Sequence, residues 1–201
     1  MSEMQDDSEQ LQIWWNQCLA ADTKAFGLIH AALFTGLYNY GLRLLNDDEL
    51  ASDAIQDLFI KIWGKRNSIG NLQKVKPFFY TALRRQILNQ LRDLKLKQYK
   101  IRFIIQPDME FSQEEILIKK EADAGLENQI VALLNSLPKR QQEIIYLHYF
   151  ENIPLNQIAE ILGINQQSAI NLKYRALQKM RLTGLPFIFL FLYSACYSEK
   201  F

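Results

Sequence analysis

The chain has 201 residues, 49% of them hydrophobic, and a formal charge of +1. That length allows one medium domain or two small ones, and the composition excludes wholesale disorder. Its two cysteines, Cys18 and Cys196, stand in no CxxC and have no histidine at ligand spacing, which argues against a disulfide framework or a zinc site. Met1–Gln10 is polar and acidic, unlike a signal peptide, so a reducing cytoplasm is the expected compartment.

The small net charge conceals an uneven distribution. Residues 1–60 carry two basic residues against ten acids, a net of −8, whereas residues 61–102 carry twelve against one (Asp93), a net of +11. Residues 103–130 return to −5, residues 131–182 to +3 and residues 183–201 to zero. A block at +11 suits a polyanionic partner, and its acidic flanks would keep it from binding nucleic acid indiscriminately.

Helical periodicity runs from Leu11 to about Leu96 and again from about Leu126 to Met180, and strand signals are scarce. Between them, the stretch around Ile105–Glu115 has a proline (Pro107), several acids and poor periodicity. Two small all-α domains joined by a flexible linker are therefore expected.

In the first module, Ala51–Trp63 projects cleanly as a helix. Ala51, Ala54, Ile55, Leu58, Phe59 and Ile62 gather on one side, and Asp53, Gln56, Asp57 and Lys61 on the other. A solvated face accounts for the acids, but Ile60 in their midst favours a docking surface. Trp63 lies at the margin, open to core or interface. A loop is expected over Gly64–Asn71, then a helix from Pro77, a good first-turn residue, to Arg92. Ala82, Leu83, Ile87, Leu88 and Leu91 are placed inward, and Tyr80, Arg84, Arg85, Asn89 and Arg92 outward. Basic residues can meet phosphates and an aromatic can stack on an unpaired base.

The second module carries the sharpest local signal. Leu137-Pro138 precedes a helix over Lys139–Phe150, Pro154 opens another over Leu155–Leu162, Gly163 supplies the turn, and a third runs from about Asn165 to Arg181. Ala159 is small where two helices cross, and Ile158, Leu162, Ile164, Ala169 and Leu172 form the expected hinge core. This is the spacing of a helix-turn-helix. Gln167, Asn171, Tyr174 and Arg175 share one face of the last helix. Gln and Asn suit adenine edges, and Arg suits guanine or phosphate.

Taken together, these segments resemble the sigma-70 family of RNA polymerase sigma factors, extracytoplasmic-function (ECF) type. The resemblance implies region 2 at 22–93, a linker at 94–126, region 4 at 127–182 and a hydrophobic tail of unknown role at 183–201. It implies polymerase binding through Asp53, Gln56, Asp57, Ile60 and Trp63. Contact with the −10 element would fall to Lys65, Arg66, Asn67, Ser68, Lys76, Tyr80, Arg84, Arg85, Asn89 and Arg92, with the loop Lys65–Asn71 holding a flipped base. The −35 element would be met by Gln166, Gln167, Ser168, Asn171, Lys173, Tyr174 and Arg175. The implied partners are core RNA polymerase through its β′ clamp and β flap, promoter DNA and an anti-sigma factor. No cofactor, metal or stable membrane insertion is expected. The sequence departs from the family pattern at Arg85, often Asn, at Ala169, often β-branched, and at Ile170, usually basic, which bears on the promoter sequence rather than the class.

The tail Leu185–Tyr197 is apolar throughout but, at thirteen residues, shorter than the roughly 20 that span a bilayer. Packing on its own domain or a partner competes with membrane or anti-sigma contact. His30 and His148 lie beside apolar runs and read as structural. With no nucleophile–base pair, metal cluster or phosphate-cradling glycine loop, nothing points to an enzyme. The rival classes are a stand-alone helix-turn-helix regulator and a pure interaction protein that mimics a sigma factor. The basic, aromatic segment 77–92 argues against both.

Overall fold

The computed structural model describes residues 2–98, 109, 111 and 124–182. They belong to two units, Met1–Ile105 and Gln106–Phe201, and all regular structure among the described residues is helical. The tail beyond Leu182 lies outside the described residues.

The first unit holds α1 (Ser2–Leu19), α2 (Thr23–Leu45), α3 (Asp48–Ile69) and α4 (Val75–Gln98). Side-chain caps set the boundaries. The Asp22 carboxylate accepts from the N–H groups of Lys24 at 2.8 Å and Ala25 at 3.2 Å, starting α2. At its far end Asn46 turns left-handed with φ 51°, and Asp47 at once caps α3 by accepting from the Leu50 N–H at 3.0 Å. Asp48 and Glu49 then occupy the first turn of α3, where the helix dipole favours acids.

α2 touches the other three helices and buries Ala25, Ile29, Leu33, Leu37, Tyr40 and Leu44 at three- and four-residue spacing. The α3 side that meets it is Ala51, Ala54, Ile55, Leu58, Phe59 and Ile62, all buried, as the projection predicts. Rings close the core: Phe59 lies 5.3 Å from Phe79, and Tyr40 lies 5.4 Å from Tyr80. Such pairs each add about 0.5–1.5 kcal/mol beyond their area.

The second unit holds α5 (Ala124–Asn135), α6 (Lys139–Ile145), α7 (Leu155–Leu162) and α8 (Gln166–Leu182). α6 runs on into a single π-helical turn, Tyr146–Phe150, in which the Glu151 N–H donates to the Tyr146 carbonyl five residues back at 3.2 Å. Gln142 is fully buried, and its Nε2 donates to the carbonyls of Leu134 and Asn135, both at 3.0 Å, satisfying the end of α5.

Two residues of the expected linker belong to this core. Met109 is 0% exposed and Phe111 is 3% exposed. The Asn135 amide reads both backbone groups of Phe111, accepting from its N–H at 2.8 Å and donating to its carbonyl at 3.0 Å. Lys139 Nζ donates to the Met109 carbonyl at 3.0 Å. The Phe111 ring lies 5.5 Å from Phe150 and 6.4 Å from Tyr146. Phe111→Ala should therefore cost the second unit about 3 kcal/mol. Hydrogen exchange on the full chain would read it as lost protection in α5 and α6, with α2 and α3 unchanged.

Candidate functional site

On the outer side of α3, Asp53, Gln56, Asp57, Ile60 and Lys61 are all exposed. Ile60 stands out at 69% exposure, an isoleucine held in water by the burial of the opposite side. Lys61 Nζ pairs with Asp57 Oδ2 at 3.0 Å, an exposed i,i+4 pair worth only a few tenths of a kcal/mol. It also donates to Gln86 Oε1 at 3.3 Å, while Gln86 Nε2 donates to the Ala54 carbonyl at 2.9 Å, so α4 is pinned to α3 beside this face. Trp63 is half-buried. Its ring lies 5.0 Å from Phe26, and the Arg66 guanidinium sits 4.1 Å above it while donating to the Trp63 carbonyl at 2.8 Å.

The segment expected to be a loop from Gly64 is helical as far as Ile69. A mid-helix glycine costs about 1 kcal/mol against alanine, and the Arg66–Trp63 contact spans that glycine. The helix ends at Gly70, whose φ of 68° suits glycine and whose N–H donates to the Arg66 carbonyl at 3.0 Å. Lys65, Asn67 and Ser68 are thus exposed on the last turns of α3 and Arg66 is half-buried there, with the true turn at residues 70–74.

α4 overturns one expectation. Tyr80 is 1% exposed, against the outward placement read from the sequence. The reason is helical register: Tyr80, Leu83 and Ile87 fall at i, i+3 and i+7 and share the core side. Lys76 is half-buried, with Nζ 5.8 Å from the Tyr80 ring. Arg85, Asn89 and Arg92 are exposed at i, i+4 and i+7, forming one outward face, and Arg84 is half-buried beside it.

In the second unit, α7 closes as the sequence implies. Gly163 has φ 66°, its N–H donates to the Glu160 carbonyl at 3.2 Å, and the Ile164 N–H donates to the Ala159 carbonyl at 3.0 Å, a Schellman motif. Asn165 caps α8 by accepting from the Ser168 N–H at 2.7 Å. Ile158, Ala159, Leu162 and Ala169 are buried at the hinge, with Ile164 and Leu172 half-buried. On α8, Gln166, Gln167, Asn171, Tyr174 and Arg175 are exposed, Tyr174 to 64%, and Gln167 Nε2 donates to Asn171 Oδ1 at 3.1 Å. Gln178 is exposed on the same face, four residues after Tyr174, and its periodicity could have marked it from the sequence. Ser168 is half-buried. Lys173 falls instead on the side of Ala169, Ala176 and Met180, with Nζ 3.4 Å from His148 Nε2.

His148 links the π turn to α8. Its Nδ1 lies 3.1 Å from the Ile153 carbonyl. With Lys173 a donor to Nε2, the network assigns the proton to Nδ1. Burial, aided by the Lys173 charge and opposed by the bond to Ile153, holds its pKa below 6.5. Cys18 is likewise structural: burial and the nearby Asp22 push its thiol to about 11. Among the described residues no cluster of His, Cys, Asp and Glu could hold a metal ion, and no helix is long and apolar enough to cross a membrane.

The profile described as Sigma-70 region 2 matches residues 32–96, and that described as Sigma-70, region 4 matches residues 127–180. The chain is 31% identical over 145 residues to the RNA polymerase sigma factor SigV of Bacillus subtilis, covering 72% of this chain and 82% of that protein. It is 24% identical over 156 residues to the ECF RNA polymerase sigma factor SigL of Mycobacterium tuberculosis, covering 77% and 84%. Its fold is similar to CnrH, solved in complex with the cytosolic domain of CnrY, with TM-score 0.59, 17% identity and coverage of 87% and 96%. It is also similar to the Bartonella quintana sigma factor RpoE, solved with the anti-sigma factor NepR, with TM-score 0.58, 20% identity and coverage of 79% and 96%.

Because His148 is neutral in the fold and protonates more readily once unfolded, the second unit should lose stability as pH falls below about 6.5. Denaturation followed from about pH 7.5 to pH 5 should show that slope, and His148→Gln should flatten it.

Proposed function

The chain belongs to the sigma-70 family of RNA polymerase sigma factors, in its extracytoplasmic-function subfamily, and from that premise we propose how its surfaces divide the work of promoter recognition. As a sigma factor it binds core RNA polymerase and promoter DNA through its region 2 and region 4 domains to begin transcription, and it is not an enzyme. Region 2 work is assigned to 22–93 and region 4 work to 127–182, with its site of action in the cytoplasm beside the polymerase.

The outer face of α3, with Asp53, Gln56, Asp57 and Ile60, docks on the β′ clamp, and Trp63 forms its rim. The observation that carries this is the 69% exposure of Ile60 among acids: burying an exposed isoleucine stabilises a complex by up to about 1.5–3 kcal/mol, and the surrounding charges select a basic partner. The −10 strand follows the end of α3 and the outer face of α4. Asn67 and Ser68 read an unpaired base, and Lys65, Arg66, Lys76, Arg84, Arg85, Asn89 and Arg92 meet backbone and bases. Tyr80 has no part in this, being core.

On α8, Gln166, Gln167, Ser168, Asn171, Tyr174 and Arg175 face the −35 duplex, while Lys173 supports the helix through His148. The β flap engages the same unit. CnrH and the Bartonella RpoE were each solved with a second protein, the latter with an anti-sigma factor. By that likeness an anti-sigma factor is proposed for this chain as well.

Ile60→Glu and Asp57→Arg should each weaken core polymerase binding by about tenfold or more, with the thermal transition unchanged. Arg175→Ala should spare core affinity and weaken holoenzyme binding to −35 DNA by about tenfold. Core affinity indifferent to Ile60→Glu would overturn the assignment of the α3 face.

A further inference from the structure

We infer that Trp15 and Gln12, on a helix that precedes the matched region 2 segment, are positioning residues for promoter opening because they hold the α3–α4 turn in place. The inference rests on the proposed −10 reading of the end of α3.

The turn at 70–74 follows directly on the helix end that carries Asn67 and Ser68 and leads into α4. Its first residue, Gly70, has the left-handed φ of 68° and stands just past the last helical residue of α3. α1 grips it from outside both helices. The Trp15 indole N–H donates to the Gly70 carbonyl at 2.9 Å, and Gln12 Nε2, one turn earlier on the same helix, lies 3.2 Å from Asn71 Oδ1. Two successive residues at the start of the turn are thus tied to one helix.

The grip is rigid because Trp15 is itself fixed. The residue is 0% exposed, with its ring 6.4 Å from both Phe78 and Phe79 of α4, edge-on to the latter. An indole has one polar group, a donor, and in a buried position it must find an acceptor. Here the acceptor is the carbonyl of the residue at which α3 leaves helical geometry. A base drawn out of a duplex is captured best by a site already in its bound shape, since a loose turn must first be ordered. Trp15 and Gln12 need not touch nucleic acid themselves. They act through Gly70 and Asn71.

The test uses the full chain with core polymerase on a promoter selected by run-off transcription, with 2-aminopurine in the −10 strand reporting the rate of opening. Trp15→Phe keeps an aromatic ring, smaller than the indole, and removes the donor; any cavity it leaves slows both backgrounds alike. Its effect is measured in the wild-type background and in Asn67→Ala/Ser68→Ala, where the reading side chains are gone. The expected result is unchanged core affinity, about fivefold slower opening in the wild-type background, the size of one neutral hydrogen bond, and less than about twofold in the double-alanine background, because the effects are coupled. A merely structural tryptophan would slow both backgrounds equally. That result, or no slowing in the first, overturns the inference. If Asn67→Ala/Ser68→Ala itself opens the promoter at the wild-type rate, the −10 reading falls and the inference with it. Gln12→Ala gives the same comparison should Trp15→Phe fail to fold.

Discussion

Burial of Ala51, Ala54, Ile55, Leu58, Phe59 and Ile62 against α2 and α4 commits the opposite side of α3 to solvent, and what the first unit offers a partner depends on that commitment. A helix with 3.6 residues per turn cannot hide Ile60 once Ile55, Leu58, Phe59 and Ile62 are inside. Exposure of Ile60 is therefore imposed by the fold, and its cost in the free protein is what the docking proposed above recovers. The same geometry carries α3 past Gly64 to Ile69, so the face proposed for polymerase and the end proposed for the −10 strand lie on one continuous helix. From Asp53 to Ser68 that helix spans roughly 22 Å at 1.5 Å per residue.

The second unit solves a similar problem with less core. α6 and α7 are short, and the unit is supplemented by polar groups that satisfy backbone ends: Gln142 on the end of α5, Asn165 on the start of α8. Phe111, bound through both backbone groups to Asn135, adds an aromatic to the cluster with Tyr146 and Phe150. Its docking lets a small helix-turn-helix unit bury more apolar surface than its own helices provide. The result is a fixed platform for α8, whose outward face carries Gln167, Asn171, Tyr174 and Arg175.

Much of this was legible in the sequence wherever one local rule decided the outcome. The α3 stripe followed from periodicity, and the α7–α8 turn followed from Gly163. One misplacement broke a local rule that was available, and three further features needed information that local rules lack. Tyr80 was placed outward on its chemistry, although its register with Leu83 and Ile87 put it on the core side. Gly64 signalled a loop, yet the Arg66–Trp63 contact and the caps at Asp47 and Gly70 sustain the helix across it. Met109 and Phe111 sit in an acidic, aperiodic stretch and gain their roles only from Asn135 and Lys139, more than twenty residues away. The tie between Trp15 and Gly70 spans 55 residues and has no local signature at all.

Promoter-specific initiation by core RNA polymerase should depend on this chain, and run-off transcription with core enzyme on a promoter library, with and without the full chain, reads that dependence. Transcripts should appear only when the chain is present and should start downstream of templates sharing paired −35 and −10 elements. Transcription that is indifferent to the chain, together with no detectable binding to core polymerase, would contradict it and leave a stand-alone DNA-binding regulator as the better description.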